Sequence, residues 1–269
     1  MDKVKRFIDC TYTATQCNLR CQYCYITQDN LWKNKLPRIR YSPERIGEGL
    51  SQLRLGGICH INICGLGETL IPPEMTDIIY NILKQGHYVM VITNGTISKR
   101  FEEIVKFPKE YLERLSFKFS FHYEELLRLN MLNQFFENIH KVYDAGASFS
   151  LEITPYDGLI DKIPEIKAIC MQNVGALCHV TVARDASKFK IPILTSLTKK
   201  EYEKTWGVFD SEMFRFKMST FGVRRKEFCY AGDWTAFLDL VTGILKPCYY
   251  TYGGQNIFDD ISKPIHFEA

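Results

Sequence analysis

The chain has 269 residues, of which 46% are hydrophobic, enough for one large core and a small appendage. Its formal net charge is +3, and basic residues are interspersed with acidic ones, as at 99–114, so no nucleic-acid partner is expected. No apolar run approaches the ~18 residues of a membrane span, and the amino terminus lacks the apolar segment of a signal peptide. We therefore expect a cytoplasmic protein without a membrane partner, in which ten cysteines favour a metal or redox role over disulfides.

Short β-branched and aromatic runs predict six strands, at 6–13, 58–64, 88–93, 115–121, 148–154 and 177–183. Between them, apolar residues recur at helical spacing, for example Met75, Ile78, Ile79 and Ile82 ahead of Gly86. This alternation predicts an α/β fold whose parallel strands are joined by right-handed crossovers, in an open sheet or a complete or partial barrel.

In each of these architectures, ligands bind at the carboxyl ends of the strands. The alternation stops near Ser187, and the chain becomes charged, aromatic and irregular. We therefore predict two regions, a core at 1–186 and a small C-terminal α+β region at 187–269.

The loop after the first strand reads Cys17-Asn-Leu-Arg-Cys21-Gln-Tyr-Cys24. Three thiolates in one short loop suit a [4Fe–4S] cluster and leave one of its irons open to another ligand. A zinc site is one alternative, but such sites pair two C-x-x-C units or add histidines at a regular offset, and the sequence has no second C-x-x-C. A set of unrelated buried cysteines is the other alternative, with the spacing then accidental.

The C-x-x-x-C-x-aromatic-C spacing resembles the signature of radical S-adenosylmethionine (SAM) enzymes, and the resemblance extends over residues 6–185. It implies a partial (β/α)6 TIM-like barrel, with a [4Fe–4S] cluster on Cys17, Cys21 and Cys24. It also implies that SAM chelates the open iron, and that the reduced cluster cleaves it to methionine and a 5′-deoxyadenosyl radical. An electron donor such as flavodoxin or ferredoxin is implied as a partner. Tyr23 occupies a position that packs near the SAM adenine in this family.

Further SAM contacts are implied where later strands end. Gly65, Gly67 and Glu68 resemble the family's glycine–glycine–glutamate segment, which binds the SAM amino group, although Leu66 separates the glycines and a threonine follows where proline is frequent. A carboxylate suits an ammonium group, and glycines let the backbone come close. Ordinary turn chemistry is the alternative for this segment and for the next strand end. The remaining candidates for SAM binding are Asn94, Ser120 and Glu152.

The segment between Cys229 and Cys248 resembles the opening of the SPASM or shorter twitch extension. In that extension a β-hairpin between two cysteines begins an auxiliary iron–sulfur site, and here the strands would lie at 235–240 and 244–246 with a turn at Gly243. The later cysteines of the extension are missing. A truncated chain, a second cluster with other ligands, and a small hairpin without a cluster all remain open.

The resemblance implies a radical SAM enzyme of oxidoreductase, epimerase or peptide-modification type. Its deoxyadenosyl radical would abstract hydrogen from a peptide or from a carbohydrate-like small molecule. The rival from another class is a non-catalytic zinc or iron–sulfur binding protein. The polar residues at the strand ends argue against that rival, because a structural metal site would not need them.

Overall fold

The structure is a computed structural model that describes residues 3–33 and 35–267. Within these residues, nine strands form one sheet in the order β6-β5-β4-β3-β2-β1-β7-β8-β9. The strands are β1 (Arg6–Tyr12), β2 (Cys59–Gly65), β3 (Tyr88–Thr93), β4 (Leu115–Ser120), β5 (Ser148–Ile153), β6 (His179–Val180), β7 (Thr235–Asp239), β8 (Ile244–Lys246) and β9 (Gln255–Asn256). Strands β1 to β6 are parallel, which confirms the predicted α/β class, and the sheet does not close into a full barrel.

Helices cross between the strands. They are α1 (Tyr25–Gln28), α2 (Pro43–Gly49), α3 (Gln52–Leu55), α4 (Met75–Lys84), α5 (Ser98–Ile104), α6 (Lys109–Leu112), α7 (Tyr123–Arg128), α8 (Leu132–Asp144), α9 (Ile163–Val174), α10 (Lys199–Trp206) and α11 (Glu212–Thr220), with 3-10 turns at Asp157–Lys162 and Gly207–Phe209. The apolar stripe predicted for α4 is buried. Thr198 and Glu201 begin α10 with reciprocal hydrogen bonds that satisfy the free N–H groups of its first turn.

Alternation along the strands gives the sheet two different faces. Ile8 and Cys10 of β1 are fully buried in the hydrophobic core, and Asp9 between them points to the opposite face. The same alternation places Lys118 of β4 and Glu152 of β5 on that opposite face, which we call the polar face. The hydrophobic core therefore lies on one side of the sheet, and these charged side chains lie on the other.

The C-terminal hairpin extends the same sheet. β7 pairs in parallel with β1 on the side away from β2, and β8 and β9 follow as antiparallel strands. The turn between β7 and β8 contains Gly243 at φ 78°, a conformation that glycine adopts without strain. β6 is shorter than predicted, because the chain beyond it bridges Arg184 to Ile193 instead of continuing along β5.

The longest helix in the described part of the chain, α8, has 13 residues. None of the described helices combines the length and the hydrophobicity that crossing a membrane requires.

Candidate active site

The three cysteines of the loop after β1 line one cleft at the carboxyl ends of the strands. Cys21 is buried, and Cys17 and Cys24 are half-buried. Short backbone contacts hold the loop: the N–H of Cys24 donates to the Cys21 carbonyl at 3.2 Å, and the Thr27 hydroxyl donates to the same carbonyl at 2.8 Å. The loop thus turns directly into α1, and all three of its cysteines line the same cleft.

The cleft, a cavity of about 90 Å³, brings together most of the residues predicted from the sequence. Those that line it are Cys17, Cys21, Cys24, Gly65, Gly67, Glu68, Asn94 and Ser120. Tyr23 and Glu152 do not line it. A larger cavity of about 550 Å³ lies at the C-terminal hairpin and contains none of the predicted site residues.

Gly67 brings the loop after β2 against the cysteine loop. Its N–H donates to the Ala14 carbonyl at 2.7 Å, and the N–H of Glu68 donates to the Gln16 carbonyl at 2.9 Å. A Cβ at Gly67 would lie 2.0 Å from the Gln16 carbonyl oxygen, far inside contact distance. Only glycine therefore permits this approach of the two backbones, which explains the glycine at the second position of the predicted segment.

Glu68 is buried, and its carboxylate organises the turn after β3. One oxygen accepts from the Thr93 hydroxyl at 2.6 Å and from the Leu70 N–H at 2.9 Å, and the other accepts from the Asn94 N–H at 2.7 Å. Burial raises the pKa of the carboxyl, and these three hydrogen bonds oppose that shift. Its oxygens are thus already hydrogen-bonded to protein donors that shape the cleft wall.

Asn94 extends the same network to the cysteine loop. Its side-chain amide donates to the Asn18 side-chain oxygen at 2.8 Å and lies 3.7 Å from Cys17 Sγ. Its oxygen accepts from the Thr96 hydroxyl at 2.6 Å, and Asn18 in turn donates to that hydroxyl at 2.8 Å. Asn18 and Thr96 were not predicted as site residues. Asn18 could have been singled out by its position inside the cysteine loop, and Thr96 by its position two residues after Asn94.

Tyr23 lies behind the cleft wall. Its hydroxyl is 2.7 Å from His122 Nδ1, and its ring is 4.8 Å from that of Tyr156. His122 itself lines the cleft, and burial lowers its pKa to about 4, so the imidazole is neutral at physiological pH. Tyr23 therefore positions the His122 ring.

Glu152 lies beside Ser120 in the β4–β5 register but points to two lysines. One carboxylate oxygen is 2.7 Å from Lys118 Nζ, and the other is 3.1 Å from Lys217 Nζ of α11. Its place is on the polar face next to the cleft.

Glu125 of α7 is a further residue that the sequence did not single out. Its carboxylate accepts from the Arg20 N–H in the cysteine loop at 2.6 Å and pairs with Arg128 at 2.7 Å. The Arg128 guanidinium lowers the pKa of this carboxyl. The Arg20 guanidinium packs 3.9 Å from the ring centre of Trp32, which also lines the cleft. In the sequence this acidic residue looks like the solvated side of a short helix.

The donor set suits an iron–sulfur cluster. Burial raises the pKa of Cys17 to about 11 and also raises the pKa of Cys21 and Cys24, so metal binding must release the thiol protons. Among the described residues, no three His, Cys, Asp or Glu side chains converge as ligands of a single ion. In a four-iron cluster each thiolate binds a different iron, so the three thiols need to share the cleft and do not need to converge on one point.

The predicted C-terminal hairpin is present as β7 and β8. Cys229 lies exposed ahead of β7, and Cys248 lies half-buried after β8. The exposed aromatic residues near them are Phe228, Tyr230, Trp234, Tyr249, Tyr250 and Tyr252. An auxiliary cluster at this pair stays a prediction.

Two other proteins have solved structures with a similar fold. SuiB of Streptococcus suis bound to S-adenosylmethionine has a TM-score of 0.62 and 14% identity, covering 96% of this chain and 64% of that chain. SuiB bound to its precursor peptide SuiA has a TM-score of 0.56 and 13% identity, covering 96% and 63%. anSMEcpe with bound AdoMet and the Cp18Cys peptide has a TM-score of 0.63 and 15% identity, covering 94% and 78%.

At these identities the likeness establishes the fold, and the predicted partial barrel is confirmed with its sheet open. This chain spans less than two thirds of the length of SuiB. No curated protein matches its sequence. The family model described as the Radical SAM superfamily matches residues 11–166, which is more than half of the chain. The chain belongs to the radical SAM superfamily.

Proposed function

We propose that this enzyme binds a [4Fe–4S] cluster on Cys17, Cys21 and Cys24, binds SAM beside it, and abstracts a hydrogen atom from a peptide substrate. Superfamily membership implies SAM and a [4Fe–4S] cluster. When bound, the reduced cluster and SAM would together supply a 5′-deoxyadenosyl radical. The observation that carries the proposal is the single cleft in which the three thiols meet Gly67, Glu68 and the other strand-end residues.

The chain's own residues orient the ligands in this proposal. Asn94 donates toward Cys17 Sγ, and hydrogen bonds to ligand sulfurs tune the potential of a cluster. Gly65 and Gly67 present backbone at the cleft, and Ser120 supplies a hydroxyl at its edge. Glu68 holds the cleft wall in shape and contributes negative charge for the SAM ammonium. Tyr23 acts through His122.

A peptide substrate is supported by the solved relatives, since SuiB binds the precursor peptide SuiA and anSMEcpe binds the Cp18Cys peptide. We also propose that residues 1–186 form the catalytic core and that 187–269 form a C-terminal region that completes the substrate side. Lys217 of that region already contacts Glu152 of the core. Electrons would come from a donor such as flavodoxin or ferredoxin.

The test is anaerobic reconstitution with iron and sulfide. The protein should contain iron, show the EPR signal of a reduced cluster that changes when SAM is added, and form 5′-deoxyadenosine. Cys24→Ser should lose the signal. Cys59→Ser is the matched control, because Cys59 is a buried cysteine that does not line the cleft. Protein that takes up zinc and no iron under these conditions would refute the proposal.

A further inference from the structure

The polar face carries an uneven group of charges next to the cleft. The Glu152 carboxylate contacts Lys118 Nζ at 2.7 Å and Lys217 Nζ at 3.1 Å, and Lys217 also donates to the Thr181 hydroxyl at 2.6 Å. Two ammonium groups thus share one carboxylate. We call these three charged side chains the lysine pair site.

All three side chains are largely withdrawn from solvent. Their exposed fractions are 11% for Glu152, 24% for Lys118 and 28% for Lys217. Desolvating charge is costly, and charges away from water are normally paired. A group of two cations and one anion keeps one uncompensated positive charge in this position.

The neighbouring charges do not cancel this excess. Burial lowers the pKa of Lys217, and the Glu152 carboxylate opposes that shift. The positive charges of Lys118 and Arg184 lower this pKa further, which shows that Arg184 adds positive charge nearby. Asp9 is on the same face, but it belongs to β1, which is three strands away from β4 in the sheet. Its carboxylate accepts a hydrogen bond from the Asn62 side-chain amide at 2.7 Å. The region around the lysine pair site is therefore electropositive.

The two lysines also keep unused donors. An ammonium group has three N–H donors. Within the described residues, Lys118 Nζ contacts Glu152 alone, and Lys217 Nζ contacts Glu152 and Thr181. Donors remain on both groups, and Glu152 holds one ammonium group at each of its two carboxylate oxygens.

The lysine pair site lies beside the proposed SAM cleft. Ser120, which lines the cleft, is the register partner of Glu152 on the neighbouring strand. Lys118 precedes Ser120 by two residues on the same face, a separation of about 7 Å along a strand. Lys118 therefore lies two residues deeper along β4 than the cleft-lining Ser120, within reach of a group that extends from the cleft across the polar face.

We propose that Lys118 and Lys217 bind an anionic group of the substrate, with Glu152 as the positioning residue that holds the two ammoniums. This rests on the proposed function, and it specifies the substrate as a peptide with an acidic or phosphorylated residue close to the reacting position. The shared chemistry is a set of anionic oxygens that accept charge-assisted hydrogen bonds. Carboxylate and phosphate are its two sources.

The experiment measures binding of capped Gly-Gly-X-Gly-Gly peptides to the reconstituted enzyme with SAM, by saturation-transfer NMR at constant ionic strength. X is glutamate, phosphoserine or glutamine. We expect the glutamate or the phosphoserine peptide to bind about tenfold more tightly than the glutamine peptide, as one or two charge-assisted hydrogen bonds provide. Tighter binding of phosphoserine identifies phosphate as the source, and tighter binding of glutamate identifies carboxylate. Equal affinity of all three peptides overturns the inference.

The variants locate the effect. Lys118→Gln and Lys217→Gln should each reduce the preference for the anionic peptide, and Lys217→Arg should retain it. Lys204→Gln removes the same charge from an exposed position on α10 and should change nothing. A preference that survives in both glutamine variants overturns the inference, and if these variants do not fold, the three-peptide comparison on the unaltered enzyme still decides. SAM affinity is measured in parallel, so intact SAM binding without anion preference rejects this inference alone, and absent SAM binding rejects the proposed function.

Discussion

The carboxylate of Glu68 accepts a hydrogen bond from the backbone N–H of Asn94 at 2.7 Å, which ties the end of β2 to the end of β3. Asn94 then reaches Asn18 and Cys17 of the cysteine loop through its side chain. Three strand ends are therefore coupled by one buried set of hydrogen bonds. Substitution of any residue in this set should therefore alter the geometry of the cleft.

We expect Glu68→Gln to weaken SAM binding and leave the iron content unchanged. The glutamine amide would turn a donor toward N–H or hydroxyl groups that now donate to the carboxylate, and a buried unsatisfied donor costs about 1–3 kcal/mol. SAM affinity should fall roughly ten- to a hundredfold, since a charge-assisted hydrogen bond contributes about 1.5–3 kcal/mol. Titration of the reconstituted protein with SAM measures this. Glu113→Gln, at an exposed position of the same charge, is the control, and an unchanged SAM affinity in Glu68→Gln would leave Glu68 a purely structural turn residue.

Gly67→Ala should damage the site more severely. The added methyl group would lie 2.0 Å from the Gln16 carbonyl oxygen, so the two backbones must separate and lose the hydrogen bonds at 2.7 and 2.9 Å between them. We expect lower iron incorporation, counted after reconstitution, and a lower melting temperature. Gly207→Ala is the matched control, because a Cβ there meets nothing within 4 Å and its φ of −59° suits alanine. Normal iron content in Gly67→Ala would show that the loops tolerate separation.

The sequence was sufficient to predict the main strands, and burial alternates residue by residue in β3 and β4. β3 and β8 begin and end where the sequence predicts, and β1 differs by one residue. β9 was missed, since two residues carry no periodicity. β6 was predicted too long because a β-branched run does not reveal where an edge strand loses its partner.

The site was predictable in so far as it follows the strand ends. Gly67, Glu68 and Asn94 lie together as the rule for parallel strands requires. The contacts of Glu152 were not predictable, because one partner, Lys217, is 65 residues further along the chain on a helix that the sequence does not place. Glu125 was missed for the same reason, since its partner Arg20 is 105 residues away.

We expect the buried His87 to make the folded protein less stable in acid. It is fully buried, its Nδ1 accepts from the Cys59 N–H at 3.0 Å, and its Nε2–H donates to the Leu50 carbonyl at 2.6 Å, which together require the neutral ring. Burial lowers its pKa below the ordinary 6.5. The unfolded chain therefore binds the proton more readily than the folded one, so the stability that His87 contributes is present above about pH 6.5 and is lost as the pH falls below it.

Chemical denaturation of the protein between pH 5 and 8 checks this. His87→Gln should be less stable at pH 8, since it loses one of the two hydrogen bonds, and it should show a shallower decline toward pH 5. His266→Gln, at an exposed position, is the control and should keep the full decline. Parallel pH profiles for the unaltered protein and His87→Gln would contradict the prediction.

The last prediction concerns Cys229 and Cys248. In the β7–β8 register Phe237 pairs with Lys246, so Cys248, two residues further on, leaves the hairpin at the end opposite Gly243. Cys229 precedes β7 at that same open end, where the N–H of Trp234 donates to the Tyr230 carbonyl at 3.0 Å in a tight turn. The fold thus brings both thiols to one end of the hairpin, but two thiolates supply half of the ligands of a four-iron cluster.

In the longest natural form of the chain, we expect the Cys17/Cys21/Cys24 triple alanine variant to retain iron after reconstitution, because we propose that Cys229, Cys248 and additional ligands hold an auxiliary cluster there. Iron and sulfide counting measures it, with the Mössbauer spectrum to identify the cluster type. The matched comparison replaces Cys229 and Cys248 as well, and the residual iron should then disappear. The control is Cys170→Ala, at a buried position in α9. Added to the triple variant, it should leave the residual iron in place. A folded triple variant without iron would make the two cysteines part of a structural hairpin, exposed enough at Cys229 to oxidise in air.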